Sequence, residues 1–333
     1  MSIRQSIAKI IPNSILQRYY VMKKYHLAKP LYKYNAKRFA KYGASQDSEE
    51  AMIGMLTMAA HGLEKGFTMP DFRPGFGHDR ICNLLDDSES YIAKYGTENI
   101  QIVHIAKIIN EYKCCHEKIG YQLEEQLRKK IITFLSKFDL PEKTNIQIDS
   151  TKSDFFSHCN DDFKSFSNSR HSCRDFSTES VPVETINAAV SLAQNAPSAC
   201  NRQAARVYVI EDKEKIAQVF SLHGGNRGFG HTVDKLIVVC GFISCYGMHE
   251  RDCVYTDCGI FTMNLAYALH YYGVGNCILN WSVTNDKDLK CREILPIRNE
   301  EVICTLIACG NVPEKFKVCT SGKKALKDII RYI

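Results

Sequence analysis

The chain has 333 residues, 45% of them hydrophobic and 10% aromatic, with 43 Lys and Arg against 37 Asp and Glu. That length and composition exclude a disordered chain and leave room for two domains. No run of about 18 apolar residues exists, which excludes a membrane-spanning helix, and the charges from Arg4 and Lys9 onward argue against a secretory leader.

The positive charge is concentrated at the start: ten Lys and Arg and no acid precede Ser45, leaving 33 against 37 in the rest. In this head Ile3, Ile7, Ile10 and Ile11 share one helical face, and Pro12 ends that short helix. Asn13 or Ser14 can cap a second one, whose Ile15, Tyr19 and Met22 continue the apolar stripe. Two readings stand. A basic amphipathic helix can lie on an anionic membrane surface, or it can pack on its own domain or a partner subunit and leave its lysines in water. A helix over 48–63 follows, with Ser48 as its cap and Met52, Met55, Leu56 and Ala59 at helical spacing. It runs into HGLEKGF (61–67) and then PDFRPGFG (70–77). Three further helical stretches, near 79–95, 98–119 and 122–138, make residues 1–150 an all-helical N-terminal domain. The polar residues between Leu140 and Asp161 read as the linker.

From residue 151 the period changes. A helix over 182–196 carries Val183, Ile186, Ala189, Val190 and Ala193 on one face. RVYVI (206–210), KLIVVCGF (235–242), CILNW (277–281) and EVICTLIACG (301–310) read as strands, and 255–272 as a long apolar helix ended by Gly273. Residues 151–333 therefore form an α+β domain, a central mixed sheet covered by helices. The fifteen cysteines are an odd number, two are adjacent, and several lie inside apolar runs. They read as small core hydrophobes of a reducing, cytoplasmic protein. Cys245, Cys253 and Cys258 with His249 lack the paired spacing of a zinc or iron–sulfur site, so no metal is expected.

Three blocks carry chemistry. SRHSCRDF (169–176) gathers Arg170, His171, Ser172 and Arg174, donors suited to a phosphate. NAPSACNRQ (195–203) stops a helix at Pro197 and offers Ser198, Asn201 and Gln203 just before a strand, amides and a hydroxyl able to hold a flat polar ring. SGKKALKDII (321–330) places Lys323 and Lys324 after a glycine. GGNRGFG (224–230) lacks dinucleotide-loop spacing and precedes a strand, so it reads as a flexible loop.

Taken in order, these blocks resemble the nitroreductase family of FMN-dependent oxidoreductases, from about Asp161 to the C-terminus. The resemblance implies that Arg170, His171, Ser172 and Arg174 bind the flavin phosphate, ribityl chain and pyrimidine edge. It implies that Pro197, Ser198, Asn201 and Gln203 contact the flavin from a partner subunit of a homodimer. It implies too that the backbone of 278–280, including Leu279 and Asn280, faces the reactive ring nitrogen, and that Lys323 and Lys324 hold the phosphate. NADH or NADPH would be the donor and a small molecule the acceptor. The flavin carries the chemistry, so no catalytic side chain is singled out. The chain has little room for the insertions with which family members cover substrate. The N-terminal unit is the expected replacement, with His61, Glu64, Lys65 and Arg73 as lid residues; a Gly-ended helix with a solvated ion pair is the plain alternative. HGLEKG with the RPGFG turn also resembles an N-terminal extension of family members from bacterial surface-polysaccharide clusters. Other outcomes kept open are a non-catalytic flavin-binding or partner module, and other flavin chemistry such as reductive dehalogenation. A nucleic-acid role is not expected, because no recognised binding motif accompanies the basic head.

Overall fold

The computed structural model describes residues 12–43 and 48–333. Its first element, α1 (Asn13–Tyr42), is one 30-residue helix rather than a short one, and it passes through Pro30. A proline removes one intrahelical bond, and the helix-forming neighbours of Pro30 carry the turn across it. Neither Asn13 nor Ser14 caps this helix, whose N-cap is Pro12 with no side-chain bond. The expected helix from Ile3 to Ile11 lies outside the described residues. Only Ala28 of α1 is buried, and Tyr19, Tyr20, Tyr25 and Tyr34 are exposed.

Four helices follow: α2 (Glu49–Gly66), α3 (His78–Tyr95), α4 (Ile100–Lys118) and α5 (Glu125–Leu135). Each lies within a few residues of its predicted span. Ser48 caps α2 as expected, its Oγ accepting from the Ala51 N–H at 3.2 Å. Ile53, Leu56, Ala60 and Leu63 of α2 meet Ile81, Leu84 and Leu85 of α3, Ile105 and Ile109 of α4, and Ile131 and Phe134 of α5 in one core. Each such burial stabilises by roughly 1.5–3 kcal/mol.

The expected linker, Leu140 to Asp161, is not one. It holds β1 (Gln147–Thr151) and a helical turn, Lys152–Phe155. β1 pairs antiparallel with β6 (Lys315–Cys319), Gln147 opposite Cys319 and Thr151 opposite Lys315. QIDST has one apolar residue and a partner at the far end of the chain, so no local pattern reveals it.

The remaining strands form one sheet in the order β2 (Ala205–Ile210), β3 (Lys235–Phe242), β5 (Glu301–Gly310), β4 (Gly275–Asn280). The fold class is α+β, as expected, but the sheet is antiparallel rather than mixed at each of its three pairings. The cause is visible between β2 and β3. The chain leaves β2, runs out along α8 (Lys213–His223) and returns to the end it left, where the Lys213 ammonium donates to the Asp234 carbonyl at 2.7 Å. Both faces are covered. Leu236, Val238, Cys240, Cys277 and Leu306 pack under α8 and α10 (Asn285–Ile294). Ile237, Val239, Ile307 and Cys309 pack under α7 (Val183–Ala193) and α9 (Cys253–Tyr271). Double coverage explains why KLIVVCGF is buried throughout and, after Lys235, apolar instead of alternating. Helix α9, read as apolar nearly all round, buries Val254, Cys258, Leu265 and Leu269 and leaves Tyr255, Ile260 and Tyr271 exposed.

Candidate functional site

The opening motif takes its shape from two neighbours. α6 (Phe163–Ser169) is capped by Asp162, whose carboxylate accepts from the N–H groups of Lys164 and Ser165. The helix ends at Arg170, and the chain then runs extended beside β4, where the Cys173 N–H donates to the Asn276 carbonyl at 2.9 Å. Cys173, Arg174 and Phe176 are buried, and Arg170, His171 and Ser172 are half-buried.

This segment meets the C-terminal tail. His171 Nδ1–H donates to the Cys319 carbonyl at 3.2 Å. Burial lowers the His171 pKa, the carbonyl bond opposes that, and the charges of Arg170 and Lys323 lower it further. Lys323 therefore stands within electrostatic reach of His171. Arg174 is 6% exposed, and its Nη1 reaches only the Cys319 thiol, at 3.7 Å. Arg170 Nε is buried with no hydrogen-bond partner. Buried guanidinium donors without oxygen partners are costly unless something else satisfies them. Lys323 and Lys324 are both exposed.

The N-terminal unit pins the tail that carries these lysines. After β6 the Thr320 N–H donates to the Ile146 carbonyl, the Ser321 N–H to Glu64 Oε1 at 3.0 Å, and the Gly322 N–H to His104 Nε2 at 3.2 Å. A Cβ on Gly322 would stand 2.7 Å from the His104 ring, so only glycine allows this approach. Glu64 is 3% exposed and also holds His61 Nδ1 at 3.1 Å. Burial works to raise its pKa, but the hydrogen bonds and charges of His104 and His61 prevail and bring it to about 2. Sequence reading names Glu64 but not its tie to the tail, and it misses His104 altogether.

Lys65, next in the chain, points elsewhere. Burial, then the charge of Arg174, lowers its pKa. Lys65 and Arg73 line a cavity of about 350 Å³ with Arg80 and Arg227, and His61 and Glu64 are not in its lining. Arg80 and Arg227 were not among the expected site residues; each sits next to a glycine-rich turn already quoted. The loop 224–230, expected to be flexible, is packed: Phe229 is fully buried.

The second block stands apart. Pro197, Ser198 and Gln203 line another cavity, of about 290 Å³, whose lining includes none of Arg170 to Arg174. Ser198 Oγ accepts from the Gln203 N–H at 2.9 Å, and Gln203 Nε2 donates to Asn201 Oδ1 at 3.1 Å. Cys200, Asn201 and Gln203 all have left-handed backbone, with φ of 53°, 55° and 49°, which costs roughly 1–2 kcal/mol per residue. Asp257 of α9, another residue not anticipated, braces the loop by accepting from the Ala199 N–H at 3.0 Å and the Tyr246 hydroxyl at 2.7 Å. At the end of β4, Leu279 is buried and Asn280 exposed. The Asn280 carbonyl accepts from His223 Nε2, while His223 Nδ1 accepts from the Gly225 N–H, which makes this imidazole neutral with its proton on Nε2. His223 stacks on Trp281 at 6.2 Å.

Residues 168–311 match the nitroreductase family. Among solved structures, the chain is similar to a nitroreductase-like protein from Streptococcus mutans, with 18% identity over 51% of this chain and 97% of that one and a TM-score of 0.46. It is similar also to a nitroreductase family protein from Streptococcus pneumoniae, at 20% over 52% and 100%, TM-score 0.43, and to an FMN-dependent nitroreductase from Clostridium difficile, at 20% over 50% and 96%, TM-score 0.42. No curated protein matches the chain. The region that begins one residue before SRHSCRDF and ends just past β5 matches the model of the nitroreductase family, and helices α1 to α5 lie outside the match.

Proposed function

We propose that the chain is an FMN-dependent oxidoreductase that passes hydride from NADH or NADPH through the flavin to a small acceptor. The observation that carries this reading is the match of residues 168–311 to the nitroreductase family, beginning at the motif in which Arg170 Nε is buried with no partner among the described residues. The residues present fit the cofactor. Arg170 has a buried donor to spare, Arg174 is a buried cation whose described partner is a sulfur, and Lys323 acts electrostatically on His171 between them in the chain. A phosphate and a carbonyl-rich ring are what such donors satisfy.

In this reading Arg170, His171, Ser172, Lys323 and Lys324 hold the phosphate and ribityl chain, and Arg174 holds the pyrimidine edge. Leu279 and Asn280 supply backbone groups at the ring. Pro197, Ser198 and Gln203 line a different cavity of the same chain, with Asn201 bonded to Gln203 beside it, which supports the four serving the flavin of a partner subunit in a homodimer. Bound FMN supplies reversible hydride acceptance. The chain's own contribution is to bind, to orient and to exclude water, and residues 1–150 would add a lid and a partner surface to the flavin domain of 151–333. Lys65 and Arg73 are the lid residues that line a cavity, and His61 and Glu64 brace the tail. The resemblance of HGLEKG and RPGFG supports an acceptor from surface-polysaccharide metabolism. Eight Lys and Arg without an acid on α1, beside exposed tyrosines, support a peripheral membrane contact in the cytoplasm.

The test is an absorbance spectrum of the purified protein with FMN, before and after anaerobic NADPH and then NADH. Flavin bands that bleach support the reading. Bound flavin that neither donor bleaches points to a non-catalytic module, and failure to bind FMN removes the site assignment from Arg170 onward.

A further inference from the structure

The cavity lined by Lys65 and Arg73 lies between α2, the turn 70–77 and the loop 224–228, and it holds about 350 Å³. Four cations line it, Lys65, Arg73, Arg80 and Arg227, against one acid, Asp71. Asp71 is exposed, and its nearest described basic partner is His231 at 3.9 Å rather than any of the four. None of the four cations forms an ion pair with a described residue, although the chain carries 37 acids. Like charges gathered in a concave site repel one another and focus a positive potential into it. The arrangement calls for a multiply charged anion.

The walls are built for close approach. The Arg80 guanidinium passes over Gly62, where a Cβ would push it aside. A Cβ on Gly66 would meet the Phe76 ring at 2.1 Å, and Gly228, at φ +92°, seats the Met69 sulfur 2.9 Å from where its Cβ would be. The HGLEKG and GGNRGFG segments thus put glycines where the two walls come together. The volume falls within the usual range of small-ligand sites.

We propose that this cavity is an anion pocket for the phosphate group of a small phosphorylated ligand, gripped by Arg80 from the helical wall and Arg227 from the loop wall. Arg73 and Lys65 complete the lining. Guanidinium forks match phosphate oxygens bidentately. The pocket itself does not depend on the flavin reading; only the identity of the ligand does. The phosphate can belong to the nicotinamide donor or to a phosphorylated acceptor.

The test uses the full chain with FMN added and titrates pyrophosphate by calorimetry. Arg80→Gln and Arg227→Gln should each weaken pyrophosphate binding about tenfold or more, which is about 1.4 kcal/mol per factor of ten, and leave FMN content unchanged. Lys129→Gln, a remote exposed cation, should change nothing. Equal affinity in wild type and both arginine variants, no pyrophosphate binding at all, or an equal loss in Lys129→Gln overturns the pocket. A chain that takes no FMN yet loses pyrophosphate in the arginine variants keeps the pocket and loses the flavin reading. With ferricyanide as acceptor, a raised KM for NADPH in both variants assigns the pocket to the donor. An unchanged KM with lost pyrophosphate binding assigns it to a phosphorylated acceptor.

Discussion

Replacing Glu64 by alanine should loosen the C-terminal tail and weaken flavin binding together. The carboxylate accepts from the Ser321 N–H at 3.0 Å and from His61 at 3.1 Å, and its side chain is 3% exposed. A hydrogen bond to a charged acceptor contributes about 1.5–3 kcal/mol. His61 is 44% exposed, so its share is smaller. The total is about 3 kcal/mol, at the low edge of what removing one member of a buried pair costs. For a chain of this length that lowers Tm by roughly 4 °C. Lys323 rides on the same tail, so FMN affinity should fall by roughly tenfold, one such factor being about 1.4 kcal/mol. Glu64→Gln keeps an acceptor for Ser321 and loses the charge, so it should fall between. Differential scanning fluorimetry and flavin-fluorescence titration measure both effects. A Tm within about 1 °C of wild type in Glu64→Ala, with unchanged FMN affinity, would refute the anchor. The pH dependence gives a second check. The folded pKa of about 2 lies below the ordinary 4.5, so the stabilisation is whole above 4.5 and is lost as pH falls through 2. Glu64→Gln should flatten that part of the acid limb.

Three further outcomes are expected. His270 is 1% exposed, and burial, then Arg170 and His171, bring its pKa from 6.5 to about 4. Its contribution, roughly 3 kcal/mol, is whole above 6.5 and lost as pH falls through 4; urea melts of His270→Gln should lack that slope. Arg174→Ala should weaken FMN binding by about 10- to 100-fold, the equivalent of one charged hydrogen bond, as read by fluorescence quenching. Gly62→Ala gains up to about 1 kcal/mol of helix propensity but drives a Cβ against Arg80. Its Tm should hold or rise while pyrophosphate binding weakens, and a lower Tm with unchanged pyrophosphate affinity would contradict the packing described.

Local pattern by itself determined most of the elements. The spans of α2 to α5, the exact ends of β3 and β5, the Ser48 cap and the class of the domain follow from apolar period, caps and glycines, which act over a few residues. The composition of SRHSCRDF likewise marked the motif, and Lys323 acts electrostatically on its His171. What acts between distant segments was not legible. β1 exists only because β6 completes it. The sheet is antiparallel because α8 and its loop return to the end of β2, and strand propensity carries no direction. Pro30 reads locally as a break, yet α1 continues through it. The role of Glu64 depends on Ser321, and the four-cation cavity on a loop and a helix far apart in the chain. Those pairings arise when tertiary packing brings the segments together, so they were decided by the folded structure and not by any stretch of the chain alone.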